Sequence, residues 1–188
     1  MNQKTKNIVG VGLFTAIVVV LQLLGGGIKV GTMFSISLVL VPIVVGAAVY
    51  GWKAGAWLGF VFGVAVLLSG DAAAFLVINP GATVAVVLMK GTVCGLVAGL
   101  IYAALKKYHA TWPVFVSAVA CPVVNTGVFL LGCLLFFLDT IQEWAIAFGF
   151  ADAGTYMIFG LAGINFLIEL GVNLLLAPVI TRLITYAK

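Results

Sequence analysis

Charge is so scarce in this chain that it cannot build a water-facing surface. Among 188 residues there are nine Lys and Arg and five Asp and Glu, 7% of the sequence, where soluble domains carry about 25%. Apolar side chains make up 64%. A soluble enzyme, a nucleic-acid binder and a disordered tail all need far more polar surface, so these classes are excluded. What remains is an integral membrane protein. The expected fold class is an all-α bundle of six transmembrane helices forming a single domain, residues 1–188.

The apolar runs predict spans over 8–24, 36–50, 54–69, 82–105, 112–137 and 156–180. Gly25-Gly26-Gly27 stops the first span. It follows Lys4 and Lys6 without a small-residue cleavage site, so it reads as a span rather than a leader. Pro42 kinks the second span or delays its start. Gly51-Trp52-Lys53 makes a tight turn with an interfacial Trp and a cation, and Pro113 suits the first position of a helix. The stretch 139–154 carries Asp139, Glu143, Asp152 and Trp144 and reads as an amphipathic connector at the interface. With the N-terminus inside, Lys4, Lys6, Lys53, Lys106, Lys107, Arg182 and Lys188 share the inner side. Asp71, Asp139, Glu143 and Asp152 share the outer side. This asymmetry predicts both termini inside.

Catalytic signatures are missing. The sequence has no G-x-x-x-x-G-K-[ST], no H-E-x-x-H and no G-x-S-x-G. The sole histidine, His109, sits beside two lysines at an inner boundary. Cys94, Cys121 and Cys133 lack metal-ligand spacing and read as small buried side chains. No enzyme activity, metal or cofactor is expected.

Polar groups inside spans are costly and turn toward the bundle interior or a cavity. Lys90 lies about 12 Å into the fourth span. Asn125 follows Pro122 in the fifth. Asn165, Glu169 and Asn173 recur every four residues in the sixth and so share a helix face. One reading is a cavity open to the outside, with these five residues supplying its hydrogen bonds. The other is an internal network in which Lys90 and Glu169 pair and the asparagines join helices. Two outer loops lie where they can close such a cavity. The first holds Lys29 and Phe34, and the second ends at Asn79-Pro80-Gly81. Phe75, Trp144, Phe148 and Tyr156 are the aromatic residues expected near its mouth, or in the interfacial belt.

Small residues dominate the first half. Gly12 and Ala16 are four apart in the first span, and Gly51, Gly55, Gly59 and Gly63 form a ladder along the third. Such faces permit close helix approach, either within the chain or against another membrane protein.

Three stretches carry a family resemblance: Leu40-Val-Pro-Ile-Val-Val-Gly46, Cys121-Pro-Val-Val-Asn-Thr-Gly-Val-Phe129 and Asn165-Phe-Leu-Ile-Glu-Leu-Gly-Val-Asn173. With the span count and length, they make the chain resemble the substrate-binding S-component of an energy-coupling factor (ECF) vitamin transporter. The resemblance implies a multi-pass subunit of the bacterial cytoplasmic membrane that binds a vitamin from outside, between its first outer loop and spans four to six. It also implies partners: a transmembrane scaffold subunit and two cytoplasmic ATPases, which explains the missing ATP-binding motif. Docking through small residues of the first helix maps onto Gly12 and Ala16, with Gly replacing the family's usual first Ala. Pantothenate is the first-choice substrate, its carboxylate meeting Lys90 or Lys29. Folate, cobalamin, lipoate and queuine-type bases are the alternatives. The competing class is a self-sufficient secondary transporter or channel for a small solute.

Overall fold

The computed structural model describes residues 2–25, 38–108 and 112–187. Its first helix, α1 (Gln3–Gly25), follows the opening apolar run. The next, α2 (Leu40–Tyr50), carries Pro42 in its first turn, where the missing amide has no intrahelical acceptor to lose. Gly51 ends α2 at φ +93° and leads directly into α3 (Trp52–Ser69), which Gly70 closes at φ +83°. Both glycines sit where a Cβ is disfavoured. The expected loop over 70–81 contains a short helix, α4 (Ala73–Ile78). Asn79 then caps α5 (Pro80–Leu105), its Oδ1 accepting from the Ala82 amide at 3.1 Å, with Pro80 in the first turn.

The second half begins with α6 (Trp112–Phe136), which passes through Pro122 without ending. The predicted amphipathic connector is α7 (Leu138–Ala147), which buries Ile141 and Ala145 and exposes Asp139 and Glu143. Asp152 starts the short turn α8 (Ala153–Thr155) by accepting from the Thr155 amide at 2.8 Å and its hydroxyl at 2.9 Å. Those two donors hold the Asp152 carboxyl below the usual carboxylate range.

The last span is not one continuous α-helix. Tyr156–Ala162 winds as a wide π-type segment, and Gly160 leaves room there for the Tyr156 ring. Gly163 then breaks the winding at φ +38° and opens α9 (Gly163–Ala187).

Five stretches are long and apolar enough to cross a membrane: α1, α3, α5, α6 and Asn165–Arg182 of α9. The expected six full spans are not reached among the described residues. The reason is α2, whose eleven residues rise about 16 Å against a hydrocarbon core of about 30 Å. The predicted start of this span, at 36 and 37, lies outside the described residues.

The glycine ladder is an internal seam. A Cβ on Gly55 would meet the Gly95 carbonyl, one on Gly59 the Gly91 carbonyl, and one on Gly63 the Val87 carbonyl at 2.9 Å. Each step of four residues up α3 matches four residues down α5. The two helices are therefore antiparallel and touch backbone to backbone. Leu58, Phe62, Val87, Cys94 and Ala98 pack around the seam with Val18, Leu40, Ile43 and Cys121. By contrast, α1 lies on the outside of the bundle and buries only Val18 and Gln22. Gly12 and Ala16 are exposed on it, and a Cβ on Gly12 would meet nothing within 4 Å. Trp57 of α3 ties α1 down by donating from Nε1 to the Thr15 hydroxyl at 3.1 Å.

Candidate functional site

A cavity of about 100 Å³ opens between the spans. Its walls come from α3, α5, α6 and the two parts of the last span, with Gln22 of α1 and the 71–75 segment completing it. Lys90, Asn125, Asn165 and Glu169 all line it. They come from three different helices, and spacing relates only Asn165 to Glu169.

Lys90 is the central group. Its ammonium lies 5.1 Å from the Phe129 ring centroid and 5.9 Å from that of Phe62. Aromatic faces attract a cation, by up to about 2 kcal/mol where water is excluded. Rings do not use the three N–H donors of an ammonium. Among the described residues Lys90 makes no hydrogen bond and no ion pair. The expected alternative, a Lys90–Glu169 pair, is therefore not formed, although both residues face the same space.

The asparagines are arranged in a similar way. Asn125 is 6% exposed, and its Oδ1 is buried with no hydrogen-bond partner among the described residues. The Oδ1 of Asn165 is also buried without a partner among them. Pro122 leaves the carbonyl four residues earlier, at Ala118, without its helical donor, but Ala118 packs in an apolar cluster with Val114 and Ala177 and is off the cavity wall. The break at Gly163 does matter. It places the start of α9 against the cavity, where Ala162, Asn165 and Phe166 are wall residues. The positive end of a helix favours an anion nearby.

Other expected residues fall elsewhere. Asn173 is buried one turn beyond Glu169, off the cavity wall, and donates from Nδ2 to the Glu169 carbonyl at 2.8 Å. Asn79 is exposed and serves as the α5 cap, while its carbonyl accepts from the Thr83 hydroxyl at 2.8 Å. Lys29 and Phe34 lie outside the described residues, as does His109. Of the mouth aromatics only Phe75 lines the cavity. It packs edge-on to Phe129, Phe137 and Trp144. Phe148 and Tyr156 instead stack on each other at 5.7 Å, away from the cavity wall.

The structure also adds residues that the span-by-span reading passed over. Phe62 and Phe129 flank the lysine, and Gln22 and Asp71 form one wall. Gln22 carried a signal, since it and Thr15 are the only side-chain hydrogen-bonding groups in the run 8–24. Cys133 faces the cavity, whereas Cys94 and Cys121 are buried in the core. No group of His, Cys, Asp and Glu among the described residues is arranged to hold a metal.

The fold and cavity define a small multi-pass helical membrane protein with a largely apolar pocket between its spans that carries a few polar and charged side chains. The chain belongs to the family of ECF transporter substrate-specific components, which it matches over residues 6–181. It is also similar in fold to a solved structure of ThiT from Listeria monocytogenes, with a TM-score of 0.67. That likeness covers 98% of this chain and 96% of the other, at 18% identity. No curated protein matches the chain.

Proposed function

We propose that this chain captures a small carboxylate-bearing micronutrient at the outer face of the bacterial cytoplasmic membrane and holds it in the cavity between α5, α6 and α9. Pantothenate is the first-choice ligand. The observation that carries the proposal is the Lys90 ammonium, which lines the cavity with none of its donors used among the described residues. A membrane-buried charge is expensive, and a ligand carboxylate would supply the acceptor that no described residue gives Lys90. Asn125, Asn165 and Glu169 bind the rest of the molecule, and Asn173 positions the Glu169 turn. Both termini face inward in this reading, and a scaffold subunit with two ATPases drives release.

Native mass spectrometry of the purified protein, followed by a vitamin binding panel, tests the reading. The expected result is a retained small molecule, or tight binding of one vitamin, with no uptake by the chain alone in liposomes. Binding no tighter than micromolar across the panel, or ion-coupled uptake by the chain alone, would overturn it.

Docking to the scaffold is assigned to the exposed Gly12 and Ala16 face of α1. Gly12→Leu and Ala16→Leu should each impair assembly with the partner subunits in a pull-down and leave ligand affinity unchanged. If both variants assemble normally, α1 is not the docking helix.

A further inference from the structure

Asp71 has no assigned part in the capture reading, yet it lines the same cavity as Lys90. Gln22 donates from Nε2 to its Oδ2. The Ser69 hydroxyl lies 3.1 Å from that same oxygen and 3.1 Å from the Val66 carbonyl, so its single proton reaches one or the other. Gln22 is 3% exposed and also donates to Ser69 at 3.3 Å, which fixes the carboxylate from the α1 side. Both contacts to the carboxylate, from Gln22 and Ser69, fall on Oδ2. Among the described residues Oδ1 of Asp71 makes no hydrogen bond, and no cation pairs with the carboxylate. An ionised carboxylate has room for about four donors, so this one is oriented but not saturated.

Besides Glu169, one cavity thus holds a cation whose donors and a carboxylate whose Oδ1 are unused among the described residues, and the two do not form an ion pair with each other. The same walls carry Asn125 and Asn165, whose Oδ1 atoms lack partners among the described residues, with Phe75 and Phe129 as apolar surface. We propose that the cavity is built for a molecule with two unlike ends. An anionic group is held by Lys90, and a hydroxyl or amine is held by Asp71, which Gln22 and Ser69 orient. An N–H or O–H in the body of the molecule meets the asparagine oxygens. Asp71 is then a specificity-determining residue that selects against simple fatty or aromatic acids, which have nothing to donate at the far end.

This inference rests on the capture reading, and the test separates the two. Ligand released from the native protein is identified by mass spectrometry. Binding of pantothenate is then compared with pantothenol, which keeps the hydroxyl end and amide but lacks the carboxylate. The comparison is made on the native protein, Lys90→Gln, Asp71→Asn and Asp71→Ala, each checked as monodisperse in detergent. For the native protein we expect at least about tenfold preference for pantothenate, on the scale of a charge-assisted hydrogen bond. Lys90→Gln should erase that preference. Asp71→Ala should weaken both ligands by at least about tenfold, and the isosteric Asp71→Asn by about fivefold. If Asp71→Ala fails to fold, the Asn variant decides. A released molecule lacking either an anionic group or a donor-bearing far end overturns the two-ended assignment alone. So does Asp71→Asn binding within about twofold of the native protein, well inside the change expected for a charge-assisted bond. No retained molecule and no binding across the vitamin panel overturns the capture reading, and this inference with it.

Discussion

Replacing Lys90 with methionine should lower affinity for a carboxylate ligand by roughly 10- to 100-fold while leaving the bundle folded. The magnitude is that of one hydrogen bond between charged partners, which contributes about 1.5–3 kcal/mol. Each 1.4 kcal/mol is about a factor of ten in affinity. Folding should be spared for a separate reason. The ammonium lies against Phe62 and Phe129 and bonds to no described acceptor, so its removal breaks no direct hydrogen bond or ion pair among the described residues. Methionine fills a similar volume and packs well against rings. The melting temperature without ligand should therefore hold or rise, while the ligand-induced increase in melting temperature disappears. A variant that binds as the native protein does removes Lys90 from the site. A variant that loses both fold and binding makes the lysine structural.

Gly59→Leu should prevent folding or cost about 3 kcal/mol or more. In the seam between α3 and α5, a Cβ on Gly59 would overlap the carbonyl of Gly91 and stand 3.3 Å from the Thr92 Cα. Both obstacles are backbone, so no rotamer change relieves them, and the helices must separate. Overpacking a close-packed interior costs about 1–3 kcal/mol where side chains can adjust, and here they cannot. In lipid, apolar side chains gain little by leaving one hydrocarbon surroundings for another, so close packing carries much of helix association. Separation would also displace Phe62 and Val66 from Val87 and Lys90, which together form one side of the cavity. The matched control is Gly12→Leu, whose Cβ meets nothing within 4 Å. Thermal unfolding followed by size-exclusion chromatography in detergent should show Gly59→Leu aggregated or strongly shifted down and Gly12→Leu close to native. Equal melting temperatures for the two variants would show that the seam does not hold the fold.

Much of the architecture was legible one residue at a time. The scarcity of charge specified a membrane helix bundle, and Gly51 and Gly70 mark helix ends in the structure as they do in the sequence. The ladder at Gly55, Gly59 and Gly63 announced a close helix contact. It did not say with which helix, because its counterpart at Gly91 and Gly95 lies far along the chain and matches only when the helices run antiparallel. The polar stripe of the last span was visible as a four-residue repeat. Yet only Asn165 and Glu169 reach the cavity, since the helix turns Asn173 into its own backbone one turn further on. The shortness of α2 was signalled by Pro42 near its start, whereas the break at Gly163 was hidden because the residues from 156 to 164 are apolar or small throughout, where hydrophobicity does not distinguish one helix from two pieces.

The sequence alone determined the solvent of this protein, the stretches over which its helices form and the rarity of its polar groups, because these follow from local composition and the energy of taking charge out of water. Tertiary structure decided which of those polar groups meet. Gln22 with Asp71, and Lys90 with two phenylalanine rings from different helices, are contacts between distant parts of the chain. Helix packing places them, and residue spacing does not encode them.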